Sequence, residues 1–200
     1  MIDNYIRSKI PHYVGPLLKL YAKLNLAPNT LTLVGLLLAV LSAWLIAYHA
    51  FLSALGIWYL SRLCDGTDGI WARAAGKTSA FGAYLDILCD MAAYSLMVLG
   101  FYFCMPELAS SWLTILFLYV LCITSALALG AQEQKLGHDT RDNRGLRLGA
   151  GLAEAGETSI AYTLFLVFPE FIKTLATLWI LALALCVLLR SVLAARLLRH

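Results

Sequence analysis

Six apolar runs, separated by short polar or helix-breaking intervals, account for most of the chain. They lie at about Thr30–Tyr48, Phe51–Ala74, Ser79–Cys104, Ala109–Gln132, Leu152–Phe168 and Phe171–Leu193. Each is close to the roughly 20 residues that a helix needs to cross a bilayer. The links at Tyr48–Phe51, Met105–Leu108 and Pro169–Glu170 are very short, which makes consecutive helices antiparallel neighbours. Ahead of the first run, Ile2–Leu24 mixes Tyr, Leu and Ile with Arg7, Lys9, Lys19 and Lys23. That mixture reads as an amphipathic helix lying on an anionic leaflet, kinked near Pro11–Pro16. Pro28-Asn29-Thr30 then turns the chain into the bilayer, with Asn29 or Thr30 as the expected N-cap. The pattern predicts an all-α integral membrane protein of one domain over residues 1–200. Residues 1–24 form its interfacial helix and 30–193 a bundle of six transmembrane helices. No internal repeat interrupts it.

Composition agrees. The chain is 61% hydrophobic and only 14% charged, against about 25% charged in soluble domains; mean hydropathy is +0.77. No cleavable signal peptide is visible, because Pro11, Gly15 and Pro16 break the basic N-terminal stretch. The five cysteines are odd in number and scattered through apolar segments, so they read as packing groups and not as a disulfide framework.

Charge distribution adds an orientation. Fourteen of the 15 Lys and Arg residues fall on one side of the predicted bundle, and only Lys173 falls on the other. By the positive-inside bias, both termini and the Asp-bearing helix ends are expected in the cytoplasm. The expected home is a bacterial or archaeal cytoplasmic membrane, with no nucleic-acid partner.

Four acids change the picture from scaffold to chemistry. Asp65, Asp68, Asp86 and Asp90 interrupt the second and third apolar runs. A carboxylate at membrane depth costs several kcal/mol, on the order of 3 by insertion scales, unless something neutralises it. Asp65 and Asp68 are i, i+3, and Asp86 and Asp90 are i, i+4, so each pair shares a helical face. Two facing helices would offer four oxygen ligands to a hard divalent ion such as Mg²⁺ or Mn²⁺. Asp65, Gly69 and Arg73 recur every four residues and line one stripe. Gly69, and Gly66 a turn earlier, leave room for a bulky ligand, although helix packing explains Gly66 equally well. Ala72 stays small beside the same groove, and Arg73 offers planar donors to a phosphate. Gly82 is expected to let the start of the third span approach the second. Lys77, Thr78 and Ser79, in the turn between those spans, are candidates for further phosphate contacts.

In full, the region reads Asp65-Gly66-Thr67-Asp68-Gly69-Ile70-Trp71-Ala72-Arg73, eight residues, Gly82, then Asp86 and Asp90 at four-residue steps. It matches D-x-x-D-G-x-x-A-R-x8-G-x-x-x-D-x-x-x-D without a departure, and so resembles the CDP-alcohol phosphotransferases, integral membrane enzymes of phospholipid head-group synthesis. The six-helix layout and interfacial helix agree with that family over most of the chain. The resemblance implies that Asp65, Asp68 and Asp86 bind the metal that holds the diphosphate of a CDP-linked donor. Asp90 would be a ligand to a second ion and the general base. Gly66, Gly69, Ala72, Arg73, Ser79 and Gly82 would line the CDP and phosphate site. It further implies a homodimer with one site per protomer.

The acceptor is less legible. Lys135, Arg141 and Arg144, near Arg147 and His138, crowd one loop mouth and suit a phosphorylated acceptor, or only follow the positive-inside bias. Glu154 and Glu157 are i, i+3 and suit acceptor hydroxyls or a cationic head group; pairing with Arg144 or Arg147 explains them equally. The expected reaction is phosphatidyl transfer from CDP-diacylglycerol to a small hydroxylated acceptor, such as inositol phosphate or glycerol 3-phosphate, with release of CMP. One alternative is a choline/ethanolamine-phosphotransferase-like enzyme using a soluble CDP-alcohol and diacylglycerol. Two others are a divalent-cation transporter and an intramembrane prenyltransferase. The transporter gives no reason for Gly69, Ala72, Arg73 and Gly82 at their positions, and the prenyltransferase pattern is one of two separated aspartate-rich motifs on a longer bundle.

Overall fold

The computed structural model describes residues 14–135 and 155–198, and among them every regular element is helical. The chain divides into two compact units, Met1–Pro106 and Glu107–His200.

In the first unit, α1 spans Gly15–Lys23, α2 Pro28–Ala47, α3 Phe51–Ala74 and α4 Ala80–Cys104. Helix α1 closes with Asn25 in the left-handed region (φ 49). There the Leu26 amide reaches back to the Tyr21 carbonyl at 3.0 Å, satisfying one of the helix's last acceptors. Helix α2 begins on Pro28, whose missing N–H is one the first turn would leave unpaired anyway. Its N-cap is Ala27, with no side-chain cap. The expected cap by Asn29 or Thr30 is therefore corrected: proline at the first helical position places both residues inside the helix. Helix α3 ends at Gly76 (φ 65), where the Lys77 amide bonds the Ala72 carbonyl at 2.8 Å. Ser79 then caps α4, its Oγ accepting from the Gly82 amide at 3.0 Å.

Helix α2 is the hub of this unit, packing on both α3 and α4. The contact with α3 is antiparallel. Ser42 donates to the Ala54 carbonyl at 2.8 Å, and Ser61 donates to the Gly35 carbonyl at 2.7 Å. Such bonds satisfy buried hydroxyls while drawing the backbones together. The contact with α4 is parallel and tight at Gly100, where a Cβ would lie 2.6 Å from the Ala43 carbonyl oxygen.

In the second unit, α5 covers Ala109–Lys135, α6 Ala155–Val167 and α7 Ile172–Leu197, with 3₁₀ turns at Pro106–Leu108 and Pro169–Phe171. Buried hydroxyls find partners here too. Tyr119 and Tyr162 share a 2.7 Å bond, and the Trp179 indole donates to the Tyr119 oxygen at 3.0 Å. Arg190 is buried on α7 and donates to the Cys122 carbonyl at 2.5 Å and to Ser125 Oγ at 3.1 Å.

Helices α2, α4, α5 with its preceding turn and α7 with its preceding turn are long and apolar enough to cross a membrane. Helix α3 falls outside that group although it has 24 residues, since it carries the polar motif; α6 has 13 described residues. All five cysteines are free thiols, four of them buried, in keeping with their packing role.

Candidate active site

The site is built where α3 and α4 run antiparallel. Trp58 stacks edge-on to Tyr94 with centroids 6.1 Å apart. One turn further along α3 and one turn back along α4, Arg62 meets Asp90. The same register carried another turn brings Asp65 level with Asp86. The Asp65, Asp68 and Asp86 carboxylates each offer an oxygen, and the three lie within 4.8 Å of one another.

Three of the four acids have a partner on a neighbouring side chain. Asp68 is 5% exposed and accepts a hydrogen bond from Thr32 Oγ1 on α2. Arg62 pairs with Asp90 at 2.6 Å and with Asp65 at 3.4 Å. Two neighbours of Asp68 anchor α1. Tyr21 shares a 3.0 Å hydroxyl bond with Thr67, and Trp71 donates to the Leu26 carbonyl at 2.9 Å. Burial pushes the Tyr21 phenol above its ordinary pKa. Of the segment predicted as an interfacial helix, Gly15–Lys23 is helical and docked on the acid-bearing helix; the part before Val14 lies outside the described residues.

The residues fit a divalent ion. Four carboxylates face one paired guanidinium, leaving an excess of negative charge in a partly desolvated place, where uncompensated charge is most unfavourable. The donors are hard oxygens, which suit Mg²⁺ or Mn²⁺.

The other expected contacts divide. Gly66 has open space where a side chain would be, and Gly69 has only Arg73 Nη1 nearby, 3.4 Å from a hypothetical Cβ. Ala72 is half-buried and Arg73 exposed on the same stripe. Gly82 behaves differently from expectation. A Cβ there would meet Ser79 Oγ at 3.1 Å and Asn29 Oδ1 at 3.2 Å, so its close approach is to the start of α2 and its own cap, not to α3. Ser79 Oγ is engaged in capping. Of the acceptor candidates, Lys135 ends α5 and is exposed, and Glu157 in the first turn of α6 has a buried Oε2 with no hydrogen-bond partner. Arg141, Arg144 and Glu154 lie outside the described residues.

The family model for CDP-alcohol phosphatidyltransferases matches residues 25–195. The chain belongs to that family. As such it is an enzyme, a transferase of substituted phosphate groups, and an integral membrane protein. It is 32% identical over 174 residues to the inner membrane protein YnjF of Escherichia coli (strain K12), covering 86% of this chain and 84% of that one. The archaetidylinositol phosphate synthase of Pyrococcus horikoshii is 32% identical over 95 residues, 48% of this chain and 50% of its own length. Among solved structures, the phosphatidylinositol phosphate synthase PgsA1 of Mycobacterium tuberculosis, crystallised with manganese and citrate, shares the fold. Its TM-score is 0.76 at 20% identity, over 90% of this chain and 88% of that one. The same protein has been solved with CDP-DAG bound (TM-score 0.66, 18% identity, 90% of this chain and 92% of that one).

Proposed function

We propose that this enzyme transfers a phosphatidyl group from CDP-diacylglycerol to a small polyol phosphate, inositol phosphate or glycerol 3-phosphate, and releases CMP. The observation that carries the reading is the three-carboxylate cluster of Asp65, Asp68 and Asp86, set in a complete family motif. Support for the donor comes from the CDP-DAG bound by PgsA1, and support for the acceptor class from the inositol phosphate named in two relatives.

Asp65, Asp68 and Asp86 hold the metal, Mg²⁺ or Mn²⁺, and Asp90 is the ligand through which a second ion would enter. When bound, a divalent ion neutralises the diphosphate and the charge left on CMP. Arg73 donates to a phosphate oxygen from the next turns of the same stripe. Gly66 and Gly69 leave the backbone open to the nucleotide, beside Ala72, while Ser79 and Gly82 shape the end of that groove. Asp90 takes the proton from the acceptor hydroxyl. The new oxygen–phosphorus bond forms at the phosphorus that carries the lipid alcohol, and the bond to the CMP phosphate breaks. Lys135, Arg141, Arg144, Glu154 and Glu157 are assigned to the acceptor side.

This reading includes α3 and α6 as spans, bringing the total to six. At about 1.5 Å per residue, the length of α3 suffices. It treats both units as one domain, because the family match runs across them. It also places the site on the cytoplasmic side of a prokaryotic inner membrane, in a homodimer. The test is CMP release by purified protein given CDP-diacylglycerol, Mg²⁺ or Mn²⁺, and in turn glycerol 3-phosphate, inositol phosphate, inositol, serine and choline. Release only with the phosphorylated polyols is expected. Release only from CDP-choline with diacylglycerol would transfer the enzyme to the other branch, and no metal-dependent release with any pair would overturn the reading.

A further inference from the structure

Helix α1 has two unlike faces. The inner one is thin: of the nine residues in Gly15–Lys23 only Tyr21 is buried. Tyr21 packs edge-on against Trp71, with centroids 6.2 Å apart, and Leu31 completes the cluster while Leu17 and Leu18 lie partly buried at its margin. The Tyr21 hydroxyl meets Thr67 Oγ1 at 3.0 Å, and Thr67 donates in turn to the Leu63 carbonyl at 2.7 Å. Thr67 stands between Asp65 and Asp68 on α3. The outer face is of another kind. Lys19 and Lys23 form one exposed stripe, and the exposed Leu20 and Leu24 form the next. No acid lies between Gly15 and Pro28.

So short a helix is marginal in isolation, and one buried side chain gives it a weak dock. Four residues separate its end from α2, a helix long and apolar enough to cross a membrane. That tether keeps α1 at head-group level, where leucines enter the acyl boundary and neighbouring lysines meet lipid phosphates. We propose that the outer face of α1 binds an anionic lipid surface, and that Tyr21 carries the effect of this binding into the site. Anionic lipid holds α1 down, and the docked Tyr21 holds the Thr67 turn of α3 in its working position. Tyr21 is thus a positioning residue. The partner is surface charge, strengthening attachment about fivefold for each lysine, and not a particular head group. For its effect on activity the inference rests on the proposed phosphatidyl transfer, whose product is itself an anionic lipid. The enzyme then runs fastest in the membrane whose charge it helps to build.

The probe is the vesicle. Purified full-length protein is reconstituted in phosphatidylcholine with increasing phosphatidylserine. Two quantities are read: hydrogen exchange of the amides of α1 and of α3 around Thr67, and CMP release. In wild type, exchange in both segments should slow about tenfold, and CMP release rise several-fold, between none and about 30% anionic lipid. Phosphatidic acid dosed to equal surface charge should act alike, and high salt should cancel the effect. The double variant Lys19→Gln, Lys23→Gln should keep the activity seen in phosphatidylcholine alone and lose the response. It also controls for the Mg²⁺ that any anionic surface concentrates. Tyr21→Phe should keep the slowed exchange of α1 but lose both the slowing around Thr67 and the gain in CMP release. Wild-type exchange that ignores surface charge would give the outer face to another partner and overturn the inference. So would an equal response in the lysine variant, or an undiminished gain in Tyr21→Phe. No CMP release under any condition would instead remove the reaction reading, and exchange around Thr67 would still decide the coupling.

Discussion

The Thr32 hydroxyl of α2 donates to the Asp68 carboxylate of α3, so the hub helix of the first unit orients one of the three clustered acids. Outer partners of this kind set the direction of a ligand oxygen and its basicity. Thr32→Val keeps the side-chain shape and removes the donor. It should weaken Mn²⁺ binding about 10- to 100-fold, while Thr32→Ser retains most of it. Metal titration of the two variants side by side checks this.

Replacing the acids themselves should be harsher. Asp65→Asn, Asp68→Asn and Asp86→Asn each remove a charged oxygen from a cluster only 4.8 Å across. Each should reduce metal-dependent CMP release by more than the roughly 100-fold that an outer partner commands. Mn²⁺ affinity should fall in parallel; near-normal affinity in any one variant would remove that residue from the ligand set.

Asp90→Asn should separate binding from turnover. Turnover should fall by about 10²- to 10⁴-fold, the range of general-base catalysis. Affinity for CDP-diacylglycerol, measured by calorimetry in detergent, should stay within a few-fold of wild type. Retained turnover would take the base role from Asp90.

How much of this was readable in the chain follows from where the partners lie. The α3 boundaries Phe51–Ala74 and the α4 end at Cys104 agree with the predicted runs, because Gly76, Ser79 and Pro106 punctuate the pattern locally. The acids were equally legible: a charge in an apolar run is conspicuous, and i, i+3 or i, i+4 spacing is a property of one helix. Thr32 and Arg62 were not singled out for the site, since their roles depend on pairs reaching from one helix to another. In the sequence Arg62 is one more basic residue in the charge-asymmetry count. The adjoining Trp58 and Tyr94 rings against which its guanidinium lies come together only through the register of α3 against α4. Gly100 was missed for the same reason. Its meaning comes from Ala43 on another helix, and a glycine in an apolar run carries no local signal.

That glycine gives a stability test. Gly100→Ala would set a methyl group 2.6 Å from the Ala43 carbonyl oxygen, a backbone atom that cannot rotate away. Overpacking of this kind costs about 1–3 kcal/mol. Thermal unfolding in detergent should show the loss, while Gly66→Ala, with nothing within 4 Å, should leave stability nearly unchanged.

Topology has its own check. Lys77 is exposed in the turn between α3 and α4. In a background with the five native cysteines replaced, Lys77→Cys should react with a membrane-impermeant thiol reagent only in inside-out vesicles. Labelling of intact cells would reverse the assigned orientation.

Helix α3 also has a history to explain. Four other helices have the length and oiliness to partition into lipid unaided, and α3, with Arg62, Asp65 and Asp68 along it, is not among them. Each charged residue near the middle of an inserting segment opposes insertion by about 2.5–3.5 kcal/mol. The partners that relieve this burden are Thr32 on the helix made before it and Asp90 on the helix made after it. On the proposed six-span reading, α3 is expected to enter the membrane together with α2 and α4, which supply these partners. On that reading the contacts that organise the finished site also tie the three helices into one unit of membrane insertion, and a variant that removes one of them is expected to lower the yield of membrane-inserted protein as well as its activity.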